Sequence, residues 1–238
     1  MRPPLICLTG VDGCGKSTQA RLLMERMQDA GWDTVTVWTG GRPYVSRPLV
    51  RLVKRRLRAP VQQPDGSFEA RGAGVEASEE FGAYLTKSNS MFRKHWLLRR
   101  GWTDVSLLEH MAEANLAVQP HLRAGRAVVC DRYLYKSIVN LAVLLDIELT
   151  SMPALLKHPA LSLTPKPDLY FLLDLPADVA AARKTDLPSI EYVARRVPVY
   201  RTLAAVASMP VVDATQSPEA VADDIWAMVS RCIAERGR

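Results

Sequence analysis

Leu5-Ile6-Cys7-Leu8-Thr9-Gly10-Val11-Asp12-Gly13-Cys14-Gly15-Lys16-Ser17-Thr18 is the stretch that decides the fold. An apolar run leads directly into the pattern G-x-x-x-x-G-K-[ST], matched at every fixed position from Gly10 to Ser17. Glycines let a backbone turn tightly enough to aim successive N–H groups at phosphate oxygens, Lys16 adds a point charge, and Ser17 can offer its hydroxyl to Mg2+. After the loop comes an amphipathic helical pattern, with Ala20, Leu23, Met27 and Ala30 on one stripe and Gly31 as a left-handed stop. Residues Gly10, Val11, Asp12, Gly13, Cys14, Gly15, Lys16, Ser17 and Thr18 are therefore expected to cradle a nucleoside triphosphate.

Four more apolar runs follow, at Thr34–Trp38, 127–130, 169–173 and 211–212. Lacking polar alternation, they read as parallel strands covered on both faces. Helical patterns separate them. One spans 102–124, with Val105, Leu108, Met111, Ala112 and Leu116 on one side, a kink at Pro120 and a stop at Gly125. Another spans 218–235, with Ser217 as N-cap and Val221, Ile225, Met228, Val229 and Cys232 as its stripe. This alternation predicts an α/β P-loop NTPase fold, an open five-stranded parallel sheet with helices on both faces, as one domain over 1–238. Residues 40–89, rich in Pro, Gly and basic side chains, break the rhythm and read as a long insertion or flap after the second strand.

The net charge of +6 suits polyanionic substrates, although charge alone does not choose the partner. Basic residues concentrate at Arg47, Arg51, Lys54, Arg55, Arg56 and Arg58, and again at Arg93, Lys94, Arg99 and Arg100; a solvated face is the first reading of such runs, an anion funnel at the active site the second, and a nucleic-acid or membrane surface the last. Cys7, Cys14, Cys130 and Cys232 lie too far apart for zinc-ligand or redox-pair spacing, which favours a reduced, cytoplasmic setting. No apolar run reaches the length of a signal segment or a membrane span. His95, His110, His121 and His158 show no paired metal spacing.

Ala127-Val128-Val129-Cys130-Asp131 ends a buried strand in a carboxylate, where a P-loop fold places the acid that helps hold Mg2+. Asp131 and Ser17 are thus the candidate metal residues. The next residue, Arg132, would pair with Asp131 beside the phosphate crevice and bind an anion.

At this point the chain resembles the thymidylate kinase family of P-loop nucleoside monophosphate kinases. The resemblance is carried by the glycine loop with its Asp12; by Pro120-His121-Leu122-Arg123-Ala124-Gly125 followed by Asp131-Arg132-Tyr133 and Ser137; by Pro167-Asp168-Leu169-Tyr170-Phe171-Leu172-Leu173-Asp174-Leu175-Pro176 running to Arg183; and by Val212-Asp213-Ala214-Thr215. It implies ATP and Mg2+ as cofactors, a small-molecule phosphate acceptor, and a chain that can form a homodimer. It further implies that Asp12 approaches the acceptor's sugar hydroxyl, Arg132 its phosphate and Tyr133 its sugar or base. A lid over 183–201 would supply the transition-state cation, because Cys14 stands where some members carry a loop arginine. Arg183 heads the candidates, ahead of Lys184, Arg195 and Arg196, and joins Lys16 and Asp131 as a catalytic residue.

Four departures touch the acceptor. Lys136-Ser137 replaces a pair of small hydroxyl residues, Asn140-Leu141 replaces the aromatic–glutamine pair that reads thymine, and Trp38-Thr39-Gly40-Gly41-Arg42-Pro43 replaces an Arg-Glu-Pro. An aspartate–arginine pair in the long helix is likewise replaced near His110-Met111. The expected activity is transfer of the γ-phosphoryl group of Mg-ATP to a (deoxy)nucleoside monophosphate. Alternatives are a kinase of the same fold acting on a nucleoside, a sugar phosphate or a pathway intermediate, and a P-loop switch that hydrolyses ATP for a partner.

Overall fold

The computed structural model describes residues 2–39, 75–184, 187 and 189–236. The basic stretch 47–58, Arg42 and most of the expected insertion lie outside these residues. Five strands, β1 (Leu5–Thr9), β2 (Thr34–Trp38), β3 (Ala127–Asp131), β4 (Leu169–Asp174) and β5 (Val211–Asp213), form one all-parallel sheet in the order β2-β3-β1-β4-β5. Each strand falls on a run read from the sequence. β1 and β3 are buried at every residue, as parallel strands covered on both faces must be.

Helix α1 (Lys16–Asp29) lies against β1, β2 and β3 and against the last helix, α10 (Pro218–Arg236). The long α3 (Trp96–Arg123) and α4 (Leu134–Leu145) lie together, with α2 (Val75–Lys94) and α9 (Val197–Val206) against α4. Short helices α5 (Met152–Leu156), α6 (Pro159–Ser162), α7 (Ala177–Arg183) and α8 (Ile190–Ala194) fill the connections around β4. Among the described residues no helix is long and apolar enough to cross a membrane.

Three sequence expectations need correction. Residues 75–89 are part of helix α2 and not of a flap. α3 begins at Trp96, well before the expected 102, and continues through Pro120 in its last turn. The predicted stripe on α3 divides: Val105, Leu108 and Leu116 are 39%, 48% and 72% exposed, Met111 packs partly buried against the core, and Leu107, Ala114 and Val118 are the residues fully buried there. α3 carries apolar residues on two faces, so periodicity alone could not say which one the sheet covers.

Gly31 and Gly125 end α1 and α3 as expected. In each case the glycine has positive φ (+86° and +80°), its N–H meets the carbonyl three residues back, and the following N–H bonds five residues back. A Cβ on Gly125 would meet nothing within 4 Å. Gly125→Ala is therefore expected to cost only the left-handed backbone penalty, about 1 kcal/mol. Urea unfolding of the two proteins should show that loss with an unchanged slope.

Candidate active site

The sheet order puts β1 between β3 and β4, and the chain reverses direction across the sheet there, so the segments leaving these three strands converge on one crevice at their carboxyl ends. The glycine loop leaves β1. Gly10 has φ +145°, and a Cβ there would sit 2.5 Å from the Leu173 carbonyl oxygen and 2.7 Å from Cys14 Sγ, so only glycine fits against the end of β4. Helix α1 starts immediately after the loop with Gly15 as its N-cap, and no side chain caps its first turn. Its leading N–H groups are thus open to an anion. Lys16, 5% exposed, folds over the loop, with Nζ donating to the carbonyls of Gly10 (3.1 Å) and Val11 (2.7 Å). Cys14 is buried beneath it, and burial pushes its thiol pKa up, which makes it a packing residue.

Asp131 ends β3. One carboxylate oxygen, Oδ2, accepts a hydrogen bond from Ser17 Oγ at the start of α1. The other, Oδ1, is buried with no hydrogen-bond partner among the described residues. A carboxylate with one orphaned oxygen, tied to a hydroxyl at the mouth of the glycine loop, is an all-oxygen donor set that suits a hard divalent cation such as Mg2+.

Arg132 does not pair with its neighbour Asp131. Its Nη2 donates to Asp12 Oδ1 at 2.5 Å, across 120 residues of sequence, and both side chains are 13% exposed. The backbone explains the redirection. Arg132 has φ +68°, a left-handed conformation costing a non-glycine residue roughly 1–2 kcal/mol. It is held by an N–H donated to the Leu8 carbonyl (3.1 Å) and by the Thr39 hydroxyl donating to its own carbonyl (2.7 Å). Burial alone would raise the Asp12 carboxyl, yet Lys16, Arg132, Lys136 and Lys184 together hold it well below the ordinary carboxylate range. Asp12 is therefore a permanent anion amid cations.

The segment after β4 brings in groups the sequence reading underweighted. Tyr192 donates its hydroxyl toward Asp12 Oδ2 at 3.4 Å, and burial pushes that phenol up to about 12. The Arg196 guanidinium lies 3.5 Å from the Tyr192 ring centre, and its Nη1 donates to the Tyr192 carbonyl at 2.7 Å. Tyr200 is buried beside Asp12, Arg132 and Arg196. Tyr192, Arg196 and Tyr200 recur at intervals of four, the spacing of one helical face, and that was the available signal.

Two expected site residues, Tyr133 and Arg183, have their side chains engaged elsewhere. Tyr133 does not reach an acceptor's sugar or base: it is 1% exposed, its hydroxyl donates to the Pro165 carbonyl at 2.8 Å, and its ring meets Tyr170 edge-on. The left-handed turn at Arg132 aims one side chain into the crevice and sends the next into the core. Arg183, the expected catalytic cation, is exposed and donates to the carbonyls of Ala214 (2.8 Å) and Thr215 (3.3 Å), away from Asp12. Arg195 is exposed as well, which leaves Arg196 and Lys184 as the lid-side cations acting on the Asp12 cluster.

A parallel sheet in this order, with a glycine loop opening a helix and an acid closing the neighbouring strand, defines a P-loop NTPase of the nucleotide-kinase class. The thymidylate kinase family model matches residues 105–225, more than half of the chain. The chain is 30% identical to the probable thymidylate kinase of Pyrococcus horikoshii, over 96% of its own length and 97% of the relative's. It is 26% identical to the probable thymidylate kinase of Thermococcus kodakarensis (97% and 98%) and 25% identical to the thymidylate kinase of Solidesulfovibrio magneticus (96% and 99%). The chain belongs to the thymidylate kinase family, and it is an ATP-dependent kinase.

Asp131→Asn keeps the shape but removes the charge that the orphaned oxygen offers a metal. Turnover is expected to fall by roughly a hundredfold, with part of it recovered as Mg2+ is raised. A Mg2+ titration checks this, and an unchanged Mg2+ dependence would reassign Asp131 to capping the turn.

Proposed function

We propose that the chain transfers the γ-phosphoryl group of Mg-ATP to the phosphate of a (deoxy)nucleoside monophosphate. The observation that carries this reading is the approach of two anion sites at the ends of adjacent strands: Lys16 and the uncapped start of α1 after β1, and Arg132, held by Asp12, after β3. In-line transfer needs the two phosphates face to face and charge to spread into, with no covalent nucleophile from the protein. An oxygen of the acceptor phosphate attacks the γ-phosphorus, the bond to the β–γ bridging oxygen breaks, and ADP leaves. Lys16 neutralises the donor's β- and γ-phosphates, Arg132 fixes the acceptor phosphate, and Asp12 fixes Arg132. Mg2+, held by Ser17 and Asp131, would neutralise and orient the donor phosphates. Arg196, on the segment that lies over Asp12, supplies cationic charge to the migrating group, while Arg183 frames the donor side next to Ala214 and Thr215. Arg196→Ala should then lower kcat by roughly a hundredfold with little change in either KM, and Arg183→Ala should act mainly on the KM of ATP.

The base is read weakly. Leu141, 4% exposed, is part of the α4 core, and Met111 stands where the family carries a charged side chain, so neither offers a hydrogen bond to a pyrimidine. Sites without those partners discriminate poorly among bases. Coupled ADP release across nucleoside monophosphates, nucleosides and sugar phosphates tests the whole reading. Nucleoside monophosphates should be turned over, with dTMP about tenfold or more below the best of them in kcat/KM. Turnover of nucleosides or sugar phosphates alone would favour the same-fold alternative, and acceptor-independent hydrolysis the switch.

The outward face of α3 supports a homodimer. Leu97 (68% exposed), Leu108 and Leu116 share it with Gly101 and Ala112, small residues that let a second helix approach. Buried free thiols at Cys7, Cys14 and Cys130 suit a reduced, cytoplasmic setting. Leu108→Glu should convert a dimer in sedimentation to a folded monomer, and an unchanged sedimentation profile would exclude this face.

A further inference from the structure

Lys136 takes the place of a small hydroxyl residue and is only 7% exposed. It sits at the third position of α4, whose N-cap is Tyr133 and whose first turn carries no acidic residue. The helix end is itself positive, so it gives a lysine there no support. Among the described residues, Nζ makes no hydrogen bond or ion pair. The charges acting on it are Arg132 from the turn after β3, Asp12 and Lys16 from the glycine loop and α1, and Arg196 from the start of α9. Asp12, the one anion of that set, already accepts from Arg132 and Tyr192. A buried cation among cations, without a counter-charge of its own, is costly unless an anion arrives.

We infer that Lys136 is a specificity-determining residue that grips the acceptor's phosphate together with Arg132. This rests on the acceptor assignment proposed above. The recognised class is an acceptor ending in a phosphomonoester dianion, and recognition of the phosphate from the core takes over from the weak reading of the base. Lys136 follows Arg132 by one helical turn of sequence, and Arg132 is the strongest like charge acting on it, so a single dianion could serve both. Lys16, which serves the donor, acts on it less. Burial, followed by Arg132 and opposed by Asp12, pushes the ammonium pKa down to about 7 in the free protein. A bound phosphate favours the charged form, so above that pH the acceptor must bring a proton with it. Acceptor affinity should therefore weaken as pH rises from about 7 to 9.

The test compares the full chain with Lys136→Met, which keeps the length and removes the charge, and with Lys136→Arg. The Met variant should melt at or above the parent's temperature, because a buried unpaired charge is gone. Its KM for the best nucleoside monophosphate should rise about tenfold or more, with the KM of ATP within about twofold. The pH dependence of acceptor affinity should flatten, and proton uptake on acceptor binding, read by calorimetry in buffers of different ionisation enthalpy, should vanish. Lys136→Arg should recover part of the affinity. An unchanged acceptor KM, a loss confined to kcat, or a rise in the KM of ATP would each overturn the inference. Should the Met variant fail to fold, Lys136→Gln is read by the same criteria. Should the parent turn over no nucleoside monophosphate, the proposed function is what fails. The inference is then decided by calorimetric binding of inorganic phosphate to parent and variant: loss in the variant supports it, equal binding overturns it.

Discussion

The ion pair between Asp12 and Arg132 is the constraint on which the carboxyl edge of the sheet depends. It ties the loop leaving β1 to the turn leaving β3, strands already in register at Leu8 and Asp131. Removing either partner would leave a charge stranded in a largely buried site, a loss on the order of 3–5 kcal/mol. The pair also makes the left-handed backbone of Arg132 tolerable, because side chain, N–H and carbonyl are all engaged at once. With Arg132 fixed this way, Asp131 is left to Ser17 and, among the described residues, keeps one oxygen unpartnered at the place where a metal would be needed.

Four cations, Lys16, Arg132, Lys136 and Arg196, converge on a crevice whose carboxylates are Asp12 and Asp131. Such an excess of positive charge suits a polyanion such as phosphate. Phosphoryl transfer asks a protein chiefly to hold two polyanions in line and to spread their charge, and fixed cations in a partly dry site do both without reorganising at the moment of reaction. Three of the four are carried by rigid elements: Lys16 by the start of α1, Arg132 by a braced turn, Lys136 by the start of α4. Arg196, like Lys184 on Asp12, comes from the chain after β4, so part of the charge is assembled by that segment's position over Asp12.

The sheet and the glycine loop were legible in the sequence because both are local. A run of apolar residues is buried on both faces wherever it falls, and a loop that must fit against Leu173 can only be glycine at Gly10. What the sequence hid was long-range or backbone-determined. The partner of Arg132 lies 120 residues away, and the positive φ that turns it there carries no glycine or asparagine to announce it. The same turn sends Tyr133 into the core. Arg183 and Arg196 are equally basic on paper; only the path of the chain after β4 puts one on the Ala214 carbonyl and the other above Tyr192. On α3 the apolar residues of both faces looked alike, and the sheet took Leu107, Ala114 and Val118.

The crevice is therefore stabilised by what it binds. In the free chain the like charges repel, and burial works against Arg132 and, most clearly, against Lys136. An anion entering among them relieves repulsion at several cations at once, so its binding energy includes strain that the fold was already carrying. Arg196 already lies over Tyr192, which donates to Asp12, so a phosphate bound between Arg132 and Lys136 would meet a third cation that is in place before it arrives.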